Sequence, residues 1–204
     1  MDGWVEKYGN PAMSLQTQDV AVAYRAILRR DPQPREERFW TSEAAAKRSF
    51  SDLGETLLLQ ATEVRSISRL YLGMFGRLPD GVTFLPQNND GLTYWTNLLR
   101  AFRAEHRAIQ YRIALSYCIE DWFFSEEHKA TYPSDLTAED FADLFAQKLI
   151  AQPWGQLDPP ADICPPRTKA HYAVAIAECD ICKERFNSRI NDALLVTANA
   201  GLQQ

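Results

Sequence analysis

Four residues in the last quarter of the chain have the chemistry of a metal or redox site: Cys164, His171, Cys179 and Cys182. Cys179-Asp180-Ile181-Cys182, with a further thiol and an imidazole upstream, would in kind suit tetrahedral zinc. The spacing argues less well, because it offers one short pair, a lone Cys in a Pro-rich stretch and a His, with no second knuckle. On a helix over 168–190, Cys179 and Cys182 share a face and His171 lies two turns away. A disulfide from Cys164 to either helix Cys is the second alternative. Plain buried thiols with no cofactor are the favoured reading.

Aromatic residues offer a different chemistry. Tyr94, Trp95, Trp122, Phe123 and Phe124 could stack on the apolar face of a pyranose, with Asn88, Asn89 and Asp90 nearby to bind hydroxyls. Aromatics at helical spacing are more often core. Phe84 and Leu85, flanked by Gly, Pro and Asn, read as a contact tip for a partner or as residues that tuck back onto the domain. Candidate partner-binding residues are therefore Phe84, Leu85, Asn88, Asn89, Asp90 and Trp95.

Arg77 beside Asp80 reads as structural, since a guanidinium can hold the last free carbonyls of a helix and a carboxylate can brace the turn. No nucleophile or base accompanies the pair. His106, His128 and His171 lie in unrelated contexts, no Gly-rich phosphate loop is present, and the carboxylates read as solvated helix faces. No catalytic residue is assigned, and the chain reads as a non-enzyme.

The elements that would position these residues are helices. Over 17–30, Val20, Ala23, Tyr24, Ile27 and Leu28 recur on one face, and Asp31-Pro32 ends the run. A Glu-rich segment carries Phe39-Trp40, Ser42 is placed to cap 43–48, and Ser51 or Asp52 opens a longer helix ending near 63–64. The cycle then restarts with Ile67, Leu70, Tyr71, Met74 and Phe75. Gly76 suits a left-handed helix end and Pro79 prevents resumption, forming a structural turn of Gly76, Arg77, Pro79 and Asp80. Arg77-Leu78-Pro79-Asp80 stands in the place of Arg29-Arg30-Asp31-Pro32, Tyr94-Trp95 answers Phe39-Trp40, and a helix over 109–124 answers the one through Leu53, Leu57, Leu58 and Ala61.

A third start lies at Thr137, whose spacing to Asp140 resembles a capping box. Phe141, Leu144, Phe145, Leu149 and Ile150 form its stripe, and its turn decays to Ala151-Gln152-Pro153-Trp154. An irregular stretch over 153–166 leads to a final helix over 168–190, packed through Tyr172, Val174, Ile176 and Phe186, with fraying after 199. Such units cannot bury their stripes alone. The expected fold is all-α, a degenerate helical repeat packed as one compact or slightly elongated domain, with repeats at about 17–65, 66–136 and 137–198.

Leu70-Tyr71-Leu72-Gly73-Met74-Phe75-Gly76-Arg77-Leu78-Pro79-Asp80, then Gly91-Leu92-Thr93-Tyr94-Trp95, then a helix ending in Ser125-Glu126-Glu127-His128, resembles the bacterial family called domain of unknown function 4214. The likeness is good over 70–129, weaker over 20–64 and poor after 141. The chain departs from that pattern in a ten-residue insert, 81–90, and in lacking the aromatic end of Ser-x-Glu-Phe. The family is distantly similar to the helical phycobilisome linker domains of cyanobacteria, which connect other proteins and do no chemistry. Its members occur in exported, surface-layer, adhesin and phage proteins, which implies assembly or adhesion.

Composition narrows the partners. Hydrophobic residues at 46% and charged ones at 24% are ordinary for a globular chain, and 204 residues suffice for one core. The net charge is −5, and Arg25, Arg29, Arg30, Arg35 and Arg38 are interrupted by acids, so nucleic acid is not expected. No apolar stretch approaches the ~18–20 residues needed to span a bilayer. The first ten residues lack a basic region followed by an apolar run, so no cleaved signal is expected. The expected function is a non-enzymatic structural or adaptor protein bound to other subunits of a larger assembly. Within that class the expectation is a bacteriophage virion component (tail, neck or capsid accessory protein) assembled in the host cytoplasm. The alternative is a carbohydrate-binding or adhesin module of a bacterial cell-surface protein, with a surface glycan as partner.

Overall fold

A computed structural model describes residues 15–42, 48–82, 90–158, 161 and 167–202, and among them the chain forms ten α-helices and no β-strand. Helix α1 (Thr17–Leu28) buries the stripe Val20, Ala23, Tyr24, Ile27 and Leu28. Its first turn is closed by the Asp19 carboxylate, which accepts from the Gln16 backbone N–H at 3.0 Å. Helix α2 (Pro34–Trp40) opens on a proline, whose fixed φ suits the first helical position. Helix α3 (Phe50–Gln60) has a reciprocal cap: the Asp52 N–H donates to Ser49 Oγ at 3.2 Å, and the Ser49 N–H donates to the Asp52 carboxylate at 2.6 Å. The expected start at Ser51 or Asp52 is thus corrected to Phe50. The expected end near 63–64 is also corrected. The helix stops at Gln60, and α4 (Thr62–Phe75) begins after the single buried residue Ala61. The cap assigned to Ser42 over 43–48 falls largely outside the described residues.

Two further expected helices are divided. The run over 109–124 is α6 (Tyr111–Ile119) followed by a tighter 3-10 turn, Glu120–Phe124, after which Ser125 caps α7 (Glu126–Thr131). Helix α5 (Gly91–Glu105) precedes it. Trp95 meets Trp122 at 5.2 Å between ring centroids and Phe102 meets Tyr117 at 5.9 Å, so α5 and α6 form an antiparallel hairpin. Helix α8 (Ala138–Ile150) starts at Thr137, whose hydroxyl accepts from the Asp140 N–H at 3.1 Å. A 3-10 turn, Trp154–Gln156, leads on toward α9 (Lys169–Ala177) and α10 (Asp180–Gly201). The single helix expected over 168–190 therefore breaks at Glu178-Cys179, and its second part runs to Gly201 rather than fraying after 199. Leu144 is exposed and so leaves the stripe expected for it, whereas half-buried Phe186 packs against the core.

Helix α4 is the hub, touching α5, α7, α8, α9 and α10, while α10 lies along α1 and α3 and closes the first repeat. Gly73 sets the approach of α8: a Cβ there would sit 2.2 Å from Phe145 Cζ, so only a bare Cα admits the ring. The Tyr132 hydroxyl donates to the Gly73 carbonyl at 2.6 Å across the same seam. One turn earlier on α4, buried Arg69 donates to Ala177 O at 2.7 Å, pairs with buried Glu178, and reaches Asn187 and Ser66. That network pins the α9–α10 break to α4. Removing one partner of such a pair costs about 3–5 kcal/mol, because the other charge is left buried alone.

The repeat is visible in the helix ends. Helices α1, α4 and α8 each stop at a left-handed residue: Arg29 at φ 57°, Gly76 at φ 70° and Ala151 at φ 59°. The first two copies share more. The Trp40 indole lies beside the Tyr24 hydroxyl, and the Trp95 indole beside that of Tyr71, each opposing the rise in phenol pKa that burial causes. Arg30 lies 5.1 Å from the Tyr24 ring centre, and Arg77 lies 5.5 Å from that of Tyr71. Phe39–Trp40 and Tyr94–Trp95 are both edge-to-face, at 5.3 Å and 4.9 Å. Arg77 therefore corresponds to Arg30, one residue later than the sequence alignment placed it, and Gly76 corresponds to Arg29.

Candidate functional site

In the second repeat the Tyr-Trp-Arg turn lies beside an open cleft of about 200 Å³, lined by Tyr71, Phe75, Trp95, Asp121, Trp122, Ser125 and Glu127. Tyr71 and Trp122 pack edge-to-face at 4.7 Å, and Phe75 lies 5.4 Å from Trp122. Arg77 guards the rim: its Nε and Nη2 donate to the Glu127 carboxylate at 2.7 and 3.0 Å, and its Nη1 donates to Asp80 at 3.2 Å. The guanidinium thus ties the turn to α7, where the sequence reading had it holding the carbonyls that end α4. In the first repeat the equivalent Tyr24 and Trp40 are buried, so the shared contacts there are purely structural. The half-buried Trp95 opens the second copy to the outside.

Next to the cleft the α5–α6 hairpin presents apolar side chains to solvent. Tyr94 is 56% exposed, Leu98 37%, Tyr117 53% and Phe124 74%. Tyr94, Leu98 and Ala101 follow one another at helical spacing on the outer side of α5, while Leu92, Thr96 and Leu99 are buried on its inner side. A helix apolar on two faces is the signal that could have shown this surface, because one stripe is enough to seat it in the core. The five aromatics read as a platform are split: Trp122 is buried, Phe123 packs on His128 and Phe141, and Tyr94 and Phe124 stand out.

The other assigned residues fall in several places. Phe84, Leu85, Asn88 and Asn89 lie outside the described residues. Asp90 caps α5, accepting from the Thr93 N–H at 2.7 Å and from its hydroxyl at 2.9 Å. Its carboxylate thus braces the first turn of α5. The sequence reading missed Arg29, whose buried guanidinium donates to Gly81 O at 2.7 Å and lies 4.0 Å from Asp90. It clamps both ends of the 81–90 insert. Burial lowers its pKa to about 10, against the pull of Asp90.

Cys118, Cys179 and Cys182 are buried free thiols, and burial pushes Cys182 up to about 12 and Cys118 up to about 11. Cys164 lies outside the described residues. His171 is engaged locally, its Nδ1 accepting from the Arg167 N–H at 3.3 Å. Among the described residues no group of three or more His, Cys, Asp or Glu could hold a metal, so His171 does not join the Cys pair in such a group. No helix among those residues is long and apolar enough to cross a membrane. His128 is buried against Tyr132, stacked at 5.0 Å, and its pKa falls to about 4, through burial first and then Lys169 and Lys148. No family model, curated protein or solved structure matches the chain, so its role is argued from the duplicated turn and the exposed face beside it.

Proposed function

We propose that this chain is a non-enzymatic structural or adaptor component of a larger assembly, and that the outer face of the α5–α6 hairpin meets a neighbouring protein subunit. One observation carries the reading: Tyr94, Leu98, Tyr117 and Phe124 are exposed on elements whose inner faces already fill the core. Contiguous apolar patches of a few hundred Å² on a folded domain mark contact surfaces. Two buried guanidiniums are held by structural partners, Arg69 by Glu178 and Arg29 by Gly81. The finer assignment, a bacteriophage tail, neck or capsid accessory protein, rests on the motif resemblance of 70–129. Purified intact particles test it: the chain is expected in fixed stoichiometry with the other subunits, and its absence from every particle overturns the assignment.

The cleft favours a second reading, a carbohydrate-binding or adhesin module. Its aromatic walls suit the apolar face of a sugar ring, and exposed Asp121 supplies a hydroxyl partner at the rim. Glycan binding that is lost in Trp95→Ala with the fold intact supports it. Absence of binding across a broad glycan array removes it.

A further inference from the structure

We infer that the cleft beside Arg77 receives a quaternary ammonium head group of the choline type. The inference takes the cleft as a binding site, as the carbohydrate reading does, and gives it a different ligand. Its walls are steeply angled. Tyr71 meets Trp122 at an interplanar angle of 72° and Phe75 at 65°, and Trp95 meets Trp122 at 70°. Rings set in this way line a corner on several sides, whereas a sugar stacks on one flat ring face. A cation against Trp, Tyr or Phe is held by the negative ring faces, and a compact tetrahedral head can meet more than one of them. At about 200 Å³ the cleft is smaller than the ~300–1,000 Å³ of most small-molecule sites, which suits a single head group rather than an oligosaccharide.

The charge at the mouth has the matching sign. Tyr71 senses Arg77, Asp80 and Glu127, and Asp121 lines the cleft itself. Glu120 precedes Asp121 in its 3-10 turn, and Glu126 and Lys129 flank Glu127 on α7. One guanidinium and one ammonium thus stand among five carboxylates. Arg100 and Arg103 of α5 are engaged with Leu28 O and with Glu63, and Arg112 stands at the opposite end of α6 from Trp122. The polar groups then select among cations. Ser125 Oγ donates to Trp122 O at 2.7 Å and accepts from the His128 N–H at 3.1 Å, and both Glu127 carboxylate oxygens accept from Arg77. Trp122 Nε1 makes no hydrogen bond but is buried away from solvent, so it offers an occupant nothing. Exposed Asp121 is left as the acceptor of the lining. A primary ammonium brings three N–H donors and a guanidinium five, more than one carboxylate satisfies. A trimethylammonium group has no donor to satisfy, only charge and apolar surface, and the cleft matches both.

Titration of the full chain with choline at constant ionic strength, followed by tryptophan fluorescence, tests this. Saturable binding with a Kd in the low millimolar range or below is expected, weaker at higher ionic strength. The neutral isostere of choline, with a tert-butyl group in place of trimethylammonium, should bind at least about tenfold more weakly, because it keeps the shape and loses the charge. Asp121→Asn, at an exposed position, should weaken choline binding about threefold, and Trp95→Ala should abolish saturation with helical content unchanged. No saturation up to about 100 mM choline overturns the inference, and so does equal binding of the isostere. If choline fails while a glycan binds through Trp95, the ligand assigned here falls and the carbohydrate reading stands. If neither binds, both fall. Once choline binds, sedimentation with phosphatidylcholine vesicles separates the sources: co-sedimentation supports a lipid head group, and its absence supports a free solute.

Discussion

Mild acid should destabilise this protein through one imidazole. His128 sits among Tyr132, Phe123 and Phe141, and its pKa is held near 4 against an ordinary value near 6.5. A depressed folded-state pKa means that the unfolded chain takes up the proton first. The neutral ring's contribution is therefore fully present above pH ~6.5 and is progressively lost as pH falls toward ~4. Linkage between those two values gives a loss of about 2 kcal/mol on going from pH ~7.5 to pH ~5, with a limiting slope of about 1.4 kcal/mol per pH unit. The carboxylates whose pKa values are lowered, Glu36 by Arg30 and Asp52 by the Ser49 N–H, lose their contribution only below pH ~4.5. The window above that belongs to His128. Urea unfolding followed by tryptophan fluorescence reads it out. With a slope of about 2 kcal/mol per molar, the wild-type midpoint should fall by about 1 M between the two pH values, whereas that of His128→Phe should barely move. If wild type and variant lose stability in parallel, the ring is not the titrating group and the reasoning fails.

Other substitutions test the packing. Gly73→Ala drives a Cβ into Phe145 and should cost about 1–3 kcal/mol; Phe145→Leu in the same chain should recover part of that loss, and strict additivity in chemical denaturation would contradict the close contact. Ala151→Gly removes the strain of a left-handed alanine at an exposed helix end, and a gain of about 0.5–1 kcal/mol should appear as a small rise in Tm. Cys118, Cys179 and Cys182 should resist thiol alkylation in the native protein at neutral pH and react on unfolding; rapid native labelling at Cys182 would show that its site opens.

Much of the fold could be read along the chain because Gly76 and Pro79 punctuate it and the stripes keep helical spacing. The errors share a physical origin. The breaks at Ala61 and at Glu178-Cys179 contain neither Gly nor Pro, and the apolar pattern continues across both. The repeat slipped by one residue because Arg29 adopts the left-handed conformation that a sequence reader assigns to glycine. Contacts over long separations left no local trace: Arg69 and Glu178 are 109 residues apart, and Arg29 reaches Gly81 across 52. The contact face was half legible. Tyr94 and Phe124 were marked as aromatics of interest, but only the fold separates them from Trp122, which is core.

The central claim concerns the outer face of the α5–α6 hairpin, and the native size of the chain in an extract of cells that make it tests that claim most directly. Wild type is expected in a fraction far larger than its own 23.3 kDa, and Leu98→Ser with Tyr117→Ser should move it to small, folded species. If the doubly substituted, folded chain stays in the large fraction, this face is not where the assembly holds it.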